Sequence, residues 1–225
     1  MNLLQNLTKV KERIEQAAKR VGRDPSQITL VAVTKEAEPE QIKTLFELGV
    51  LNFAENYAQS LIKKYEIAKD AVWHFIGRIQ TNKVKYIVPR CEYIHSVWRL
   101  NEIETINKVA EKLGKIQKIL VEVNVSQEET KAGITLEEAP KFVETALNYP
   151  NVSVVGLMTM APFTDDENLI RSVFRKLREL RDKLVERFPT VQHLSMGMTN
   201  DFEIAVEEGA TMVRIGRALF KGEGV

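Results

Sequence analysis

The chain has 225 residues and a formal net charge of +1, from 32 Lys and Arg against 31 Asp and Glu. So even a balance argues against a nucleic-acid binder that works by neutralising phosphates, and against a polybasic membrane-surface binder. A lone cysteine, Cys91, excludes a disulfide framework and a multi-cysteine zinc site, and 11 Gly and 7 Pro placed singly exclude collagen-like and disordered classes.

The first twenty residues mix apolar and charged positions with no signal-peptide run. No apolar stretch approaches the ~18 residues of a membrane span, so a soluble cytoplasmic protein is expected. Leu3, Leu7, Val10, Ile14, Ala17 and Val21 recur at helical spacing and end at Gly22, predicting an N-terminal helix over 1–22. ITLVAVT (28–34) is a β-branched run too short for a helix, and reads as a buried strand. An apolar stripe through Ile42, Leu45 and Leu48 follows. Further strands are predicted at 51–56, 72–77, 92–97, 118–124, 152–160, 193–198 and 211–216. The clearest later helix is 165–188, striped by Leu169, Val173, Leu177, Leu180, Leu184 and Phe188.

Strands alternating with helices, the strands mostly apolar, imply a parallel sheet. Eight such units of roughly 25 residues each, plus the extra N-terminal helix, use up the chain as one domain over 1–225. The economical fold is α/β, a single closed (β/α)8 barrel of TIM type. An open doubly wound sheet is the competitor, but no glycine-rich phosphate loop follows the first strand. Active sites of such barrels lie at the C-terminal strand ends. Here those ends carry Thr34 and Lys35, Glu55 and Asn56, Gly77, Ser96, Asn124, Met160, the run from Ser195 to Thr199, and Gly216 with Arg217.

Lys35 is either a solvated rim lysine or an amine delivered to the barrel mouth, where partial desolvation favours the neutral form that attacks carbonyls. SMGMTND (195–201) and RIGRALF (214–220) end the seventh and eighth strands, where barrels often bind phosphate. Small residues there let backbone N–H groups approach an anion, and Ser195 and Thr199 add hydroxyls. Thr199, Asn200 and Asp201 equally suit a helix N-cap. Arg214, on an apolar strand, needs a partner, either a carboxylate such as Glu122 or a ligand atom. His74 and His95 read as hydrogen-bonded core residues and His193 as an exposed strand start. Met158, Met160, Met196 and Met198 read as packing around a cavity, and Tyr57 as a packing residue.

LVAVTK, FAENY, WHFIGRIQTNK, IHSV, VNVSQEETKAGI, GLMTM, LSMGMTND and TMVRIGRALF, in that order from about residue 28 to 220, resemble the YggS/PROSC family of pyridoxal phosphate homeostasis proteins. The resemblance implies a barrel like the N-terminal domain of alanine racemase, with pyridoxal 5'-phosphate held as a Schiff base on Lys35. It implies that Ser195, Gly197 and Thr199 of the LSMGM loop, with Gly216 and Arg217, hold the phosphate. Arg214 would face the pyridine nitrogen and Asn56 would line the ring pocket. An arginine there disfavours ring protonation and weakens the cofactor as an electron sink. Three positions depart from the family pattern: Ala54 for the usual glycine, Arg78 for a frequent histidine, and Arg217 for a small hydroxyl residue. Lys131 and Gly133 match the family's K-x-G.

The expected function is a non-catalytic carrier, buffer or regulator of the free cofactor, acting as a monomer; a module that senses the cofactor and hands it to pyridoxal phosphate-dependent apo-enzymes is a separate possibility. The alternative is an amino-acid racemase-like enzyme. Two-base racemisation needs a second acid/base on the far face of the substrate, which alanine racemases draw from a β domain that these 225 residues, used up by the barrel, do not include. A class I aldolase is a further enzymatic possibility.

Overall fold

A computed structural model describes residues 2–225. Eight strands, β1 Thr29–Val33, β2 Asn52–Glu55, β3 Val72–Phe75, β4 Tyr93–Val97, β5 Gln117–Glu122, β6 Val152–Met158, β7 His193–Ser195 and β8 Met212–Ile215, pair in parallel and in chain order. β8 returns to β1 with Thr29 opposite Met212 and Ala32 opposite Ile215, which closes the barrel. Every predicted strand is present, generally shorter than its apolar run. β7 stops at Ser195 because Gly197 takes a positive φ of 100° and turns the chain.

The strands interleave with α1 Leu3–Arg20, α2 Pro39–Glu47, α3 Ala58–Tyr65, α4 Val84–Ile87, α5 Leu100–Lys112, α6 Ala139–Ala146, α7 Glu167–Arg187, α8 Phe202–Glu207 and α9 Arg217–Phe220. α1 is the predicted N-terminal helix. It ends in paired bonds from Gly22 N–H to the Lys19 carbonyl (3.1 Å) and from Arg23 N–H to the Ala18 carbonyl (2.9 Å). Its buried Leu7, Val10 and Ile14 are worth about 1.5–3 kcal/mol each, and they pack α1 against α8 and α9. Asn6 Nδ2 donates to the Leu219 carbonyl at 2.9 Å, tying α1 to the last βα unit.

The main core lies between barrel and helices. A second cluster, Val31, Ala54, Leu120, Met158 and Met212, comes from five different strands, and such residues can meet only across the barrel axis. The barrel interior is therefore filled along its axis, and the largest strand-end cleft lies at its C-terminal mouth. In α7, Val173, Leu177 and Leu184 are buried as the stripe predicts, whereas Leu169 is 44% exposed because it sits in the first turn beside the mouth. No helix among the described residues is long and apolar enough to cross a membrane.

Candidate active site at the barrel mouth

β1 carries the chain to Thr34 and Lys35 at the rim of a cleft of about 770 Å³. That volume suits a small cofactor. Lys35 lines the cleft with its side chain exposed, so of the two readings it is the solvated rim lysine that the structure shows. Its backbone is held from beneath. Lys64 Nζ, from α3, donates to the Thr34 carbonyl, lies 3.5 Å from the Lys35 carbonyl, and pairs with Glu55 Oε2 at 3.0 Å. Glu55 ends β2 fully buried and also accepts from Thr34 Oγ1 (2.8 Å) and Asn56 N–H (2.8 Å). A buried carboxylate is tolerated only with such a donor set.

The opposite wall, at β7 and β8, is built from backbone. A Cβ on Gly197 would lie 2.6 Å from Ala205 Cβ, so only glycine lets this loop sit on α8 at that φ. The Gly197 carbonyl accepts from Arg214 N–H (2.9 Å), and Asp201 Oδ1 accepts from Met198 N–H (2.7 Å). Burial raises the Asp201 carboxyl, partly offset by that N–H and by Arg214. Thr199 Oγ1 accepts from Ala218 N–H at 3.3 Å, bridging the two loops and leaving its own hydrogen free to donate. Gly216 and Arg217, at the start of α9, offer N–H groups with no backbone acceptor. The Arg217 side chain is half-exposed, 3.6 Å from Glu223 Oε2.

Arg214 reaches the cleft from inside the barrel while 2% exposed. Glu122, the carboxylate named as one alternative partner, makes no hydrogen bond or ion pair with it. Nη1 donates instead to Ser195 Oγ (2.5 Å) and Nη2 to the Thr159 carbonyl (3.1 Å). Burial lowers Arg214 to about 10, with Glu122 and Asp201 pulling upward. Burial lifts Glu122 to about 7 against the pull of Arg214.

The structure thus brings Lys35, Thr199, Arg214, Gly216 and Arg217 to one cleft. Ser195 and Gly197 stand behind its wall, the first inside the barrel and the second under the loop. Asn56 follows Glu55 outside the cleft lining, its Oδ1 buried without a hydrogen-bond partner. A Cβ on Gly77 would lie 1.9 Å from the Asn56 carbonyl oxygen, so the β2 and β3 ends meet only through glycine. Tyr57, expected to pack, is 59% exposed, since it precedes α3 at the rim. His193 is half-buried, with Nδ1 3.0 Å from Thr211 Oγ1. Met158 and Met196 are buried, while Met160 and Met198 are exposed near the mouth. The role of Lys64 was missed. Its only signal is a lysine nine residues after Glu55, and in sequence it is one of many solvated helix lysines.

An exposed amine facing hydroxyl, N–H and guanidinium donors is a donor set that fits a phosphorylated aldehyde. The comparisons agree. Residues 5–223 match the family described as alanine racemase, N-terminal domain. The pyridoxal phosphate homeostasis protein of Aquifex aeolicus is 46% identical over 223 residues, covering 98% of both chains. Its counterpart in Pseudomonas aeruginosa is 37% identical over 227 residues, covering 97% of this chain and 94% of that one. PipY of Synechococcus elongatus PCC7942, solved with pyridoxal phosphate bound, superposes with a TM-score of 0.81 at 28% identity, over 92% of this chain and 99% of PipY. Matched along nearly its whole length, this chain belongs to the alanine racemase N-terminal domain family, among the pyridoxal phosphate homeostasis proteins.

Proposed function

We propose that the protein binds pyridoxal 5'-phosphate covalently through Lys35 and serves intracellular homeostasis of that cofactor as a carrier or buffer, without robust catalysis. The observation that carries this reading is the juxtaposition of the Lys35 amine with the β7–β8 wall across one cleft. When bound, the cofactor supplies an aldehyde that condenses reversibly with an amine and a phosphate that serves as an anionic handle. Lys35 provides the amine. Thr199 Oγ1 and the N–H groups of Gly216 and Arg217 suit the phosphate. Arg214 presents a guanidinium to the ring, and a cation there does not assist ring protonation. Among the described residues Tyr57 is the one tyrosine directly after a strand end, and it is 59% exposed and belongs to no charge-relay set. Among the described residues the cleft lining holds no tyrosine, histidine or cysteine opposite Lys35, which speaks against catalysis by two opposed bases of those types.

The visible spectrum of purified protein, before and after borohydride, tests the reading. A band that bleaches on reduction and leaves the label on Lys35 supports it, and Lys35→Ala should abolish the trapped adduct while retaining weak noncovalent affinity. A colourless protein that takes up no added cofactor overturns it. The proposal extends to a cytoplasmic monomer that transfers the cofactor to apo-enzymes dependent on it. Sedimentation of the loaded protein and reactivation of such an apo-enzyme check those two points. Robust turnover across a panel of amino acids would favour the racemase-like alternative.

A further inference from the structure

Arg214 is buried, yet no carboxylate touches it, and the residues that do hold it lead away from the cleft. Ser195 Oγ, which accepts from Arg214 Nη1 at 2.5 Å, lies 2.7 Å from His95 Nδ1. His95 Nε2 lies 2.8 Å from His74 Nδ1, and His74 Nε2 lies 2.8 Å from Asn52 Oδ1. The five residues sit on β8, β7, β4, β3 and β2, so the chain crosses the barrel interior from the mouth to the first residue of β2. His74, His95 and Ser195 are fully buried.

Only one direction satisfies every atom of this chain. Burial holds both imidazoles neutral, His74 down to about 3 and His95 well below its ordinary value. A neutral imidazole has one donor and one acceptor nitrogen. Asn52 Oδ1 only accepts, so His74 carries its hydrogen on Nε2 and accepts on Nδ1. His95 must then donate from Nε2, which leaves Nδ1 as an acceptor for the Ser195 hydroxyl. The hydrogen of Ser195 is spent there, and its lone pair faces Arg214.

We propose that Ser195, His95, His74 and Asn52 form a positioning relay for Arg214, a one-way chain of hydrogen bonds that fixes the Ser195 hydroxyl as an acceptor and leaves the guanidinium without a direct ion-pair partner toward the bound cofactor. This rests on the functional reading above. It also removes Ser195 from the phosphate donors, since its only hydrogen points into the barrel. Tyr93 stacks on His74, with ring centroids 4.8 Å apart, and keeps that ring in register.

The first test uses the cofactor-free protein. Nitrogen-15 NMR of the histidine side chains should show His74 and His95 neutral and protonated on Nε2. A hydrogen on Nδ1 of either ring overturns the direction. The second test uses the loaded protein and the pH titration of its visible band. Ser195→Ala should shift that band or its midpoint and weaken cofactor binding about tenfold. His95→Phe should shift the band the same way, His95→Gln should restore part of the effect, and the double variant Ser195→Ala/His95→Phe should go no further than Ser195→Ala alone. Additive shifts, or an unmoved band in the folded Ser195→Ala protein, overturn the relay. Should the protein take up no pyridoxal phosphate, the proposed function falls, while the tautomers measured without cofactor still judge the chain of bonds.

Discussion

The two walls of the cleft are built from opposite materials. The β1–β2 wall is ionic: Lys64, Glu55 and Thr34 interlock under the backbone of Lys35 and leave its side chain exposed. The β7–β8 wall is made of backbone and small residues, where Gly197 seats the loop on α8 and the Gly216 N–H and Thr199 hydroxyl are free to donate. The difference matches what the proposed function asks of each wall. An amine that forms and breaks a bond needs a fixed anchor and a free end. An anion needs several convergent donors at close range, which backbone supplies at little entropic cost.

Breaking the ionic wall should have the largest effect. Lys64→Met leaves the buried Glu55 carboxylate without its cation, and a loss of about 3–5 kcal/mol in urea unfolding is expected. Unchanged stability would mean that β1 needs no clamp. Breaking the backbone wall should follow. Gly197→Ala places a Cβ 2.6 Å from that of Ala205 at a φ of 100°. A cost of about 2–3 kcal/mol is expected, together with weaker affinity for both pyridoxal phosphate and inorganic phosphate by calorimetry. Full phosphate affinity in that variant would place the anion elsewhere.

An effect no larger should appear at Glu122, buried at the end of β5. Burial lifts Glu122 from 4.5 to about 7, so between those pH values the folded protein keeps a proton that the unfolded chain has released. The contribution of Glu122 to stability is therefore greatest at low pH and is lost as pH rises through 7. The Glu122→Gln variant should gain on wild type by on the order of 2–3 kcal/mol between pH 4.5 and 8. His74 and His95 act with the opposite sign below 6.5 but are common to both proteins, so they cancel in the comparison. A difference independent of pH would show that Glu122 titrates normally.

The barrel was legible because apolar runs of strand length alternate with helical stripes such as that of α7, and because both patterns follow from local periodicity. The placement of Lys35, Thr199, Gly216 and Arg217 was legible for a related reason: each lies within four residues of a strand's C-terminal end, and every strand of a parallel barrel ends at the same face. Ser195 met the same criterion yet faces inward. Side chains alternate along β7, and the turn at Gly197 separates it from Thr199, so neighbours in sequence stand on opposite sides of the wall.

Periodicity and strand-end chemistry are written in neighbouring residues, so the chain alone dictated eight βα units, an open mouth and an amine across from a corner rich in small residues and hydroxyls. Which charges pair is decided by distance across the barrel. Arg214 takes Ser195, 19 residues away, and Ser195 meets His95, 100 residues away, while Glu122, the carboxylate named from the sequence, pairs with neither. Only closure of the barrel brings β7 opposite β4, and only there does a buried guanidinium find neutral acceptors in place of a counter-ion.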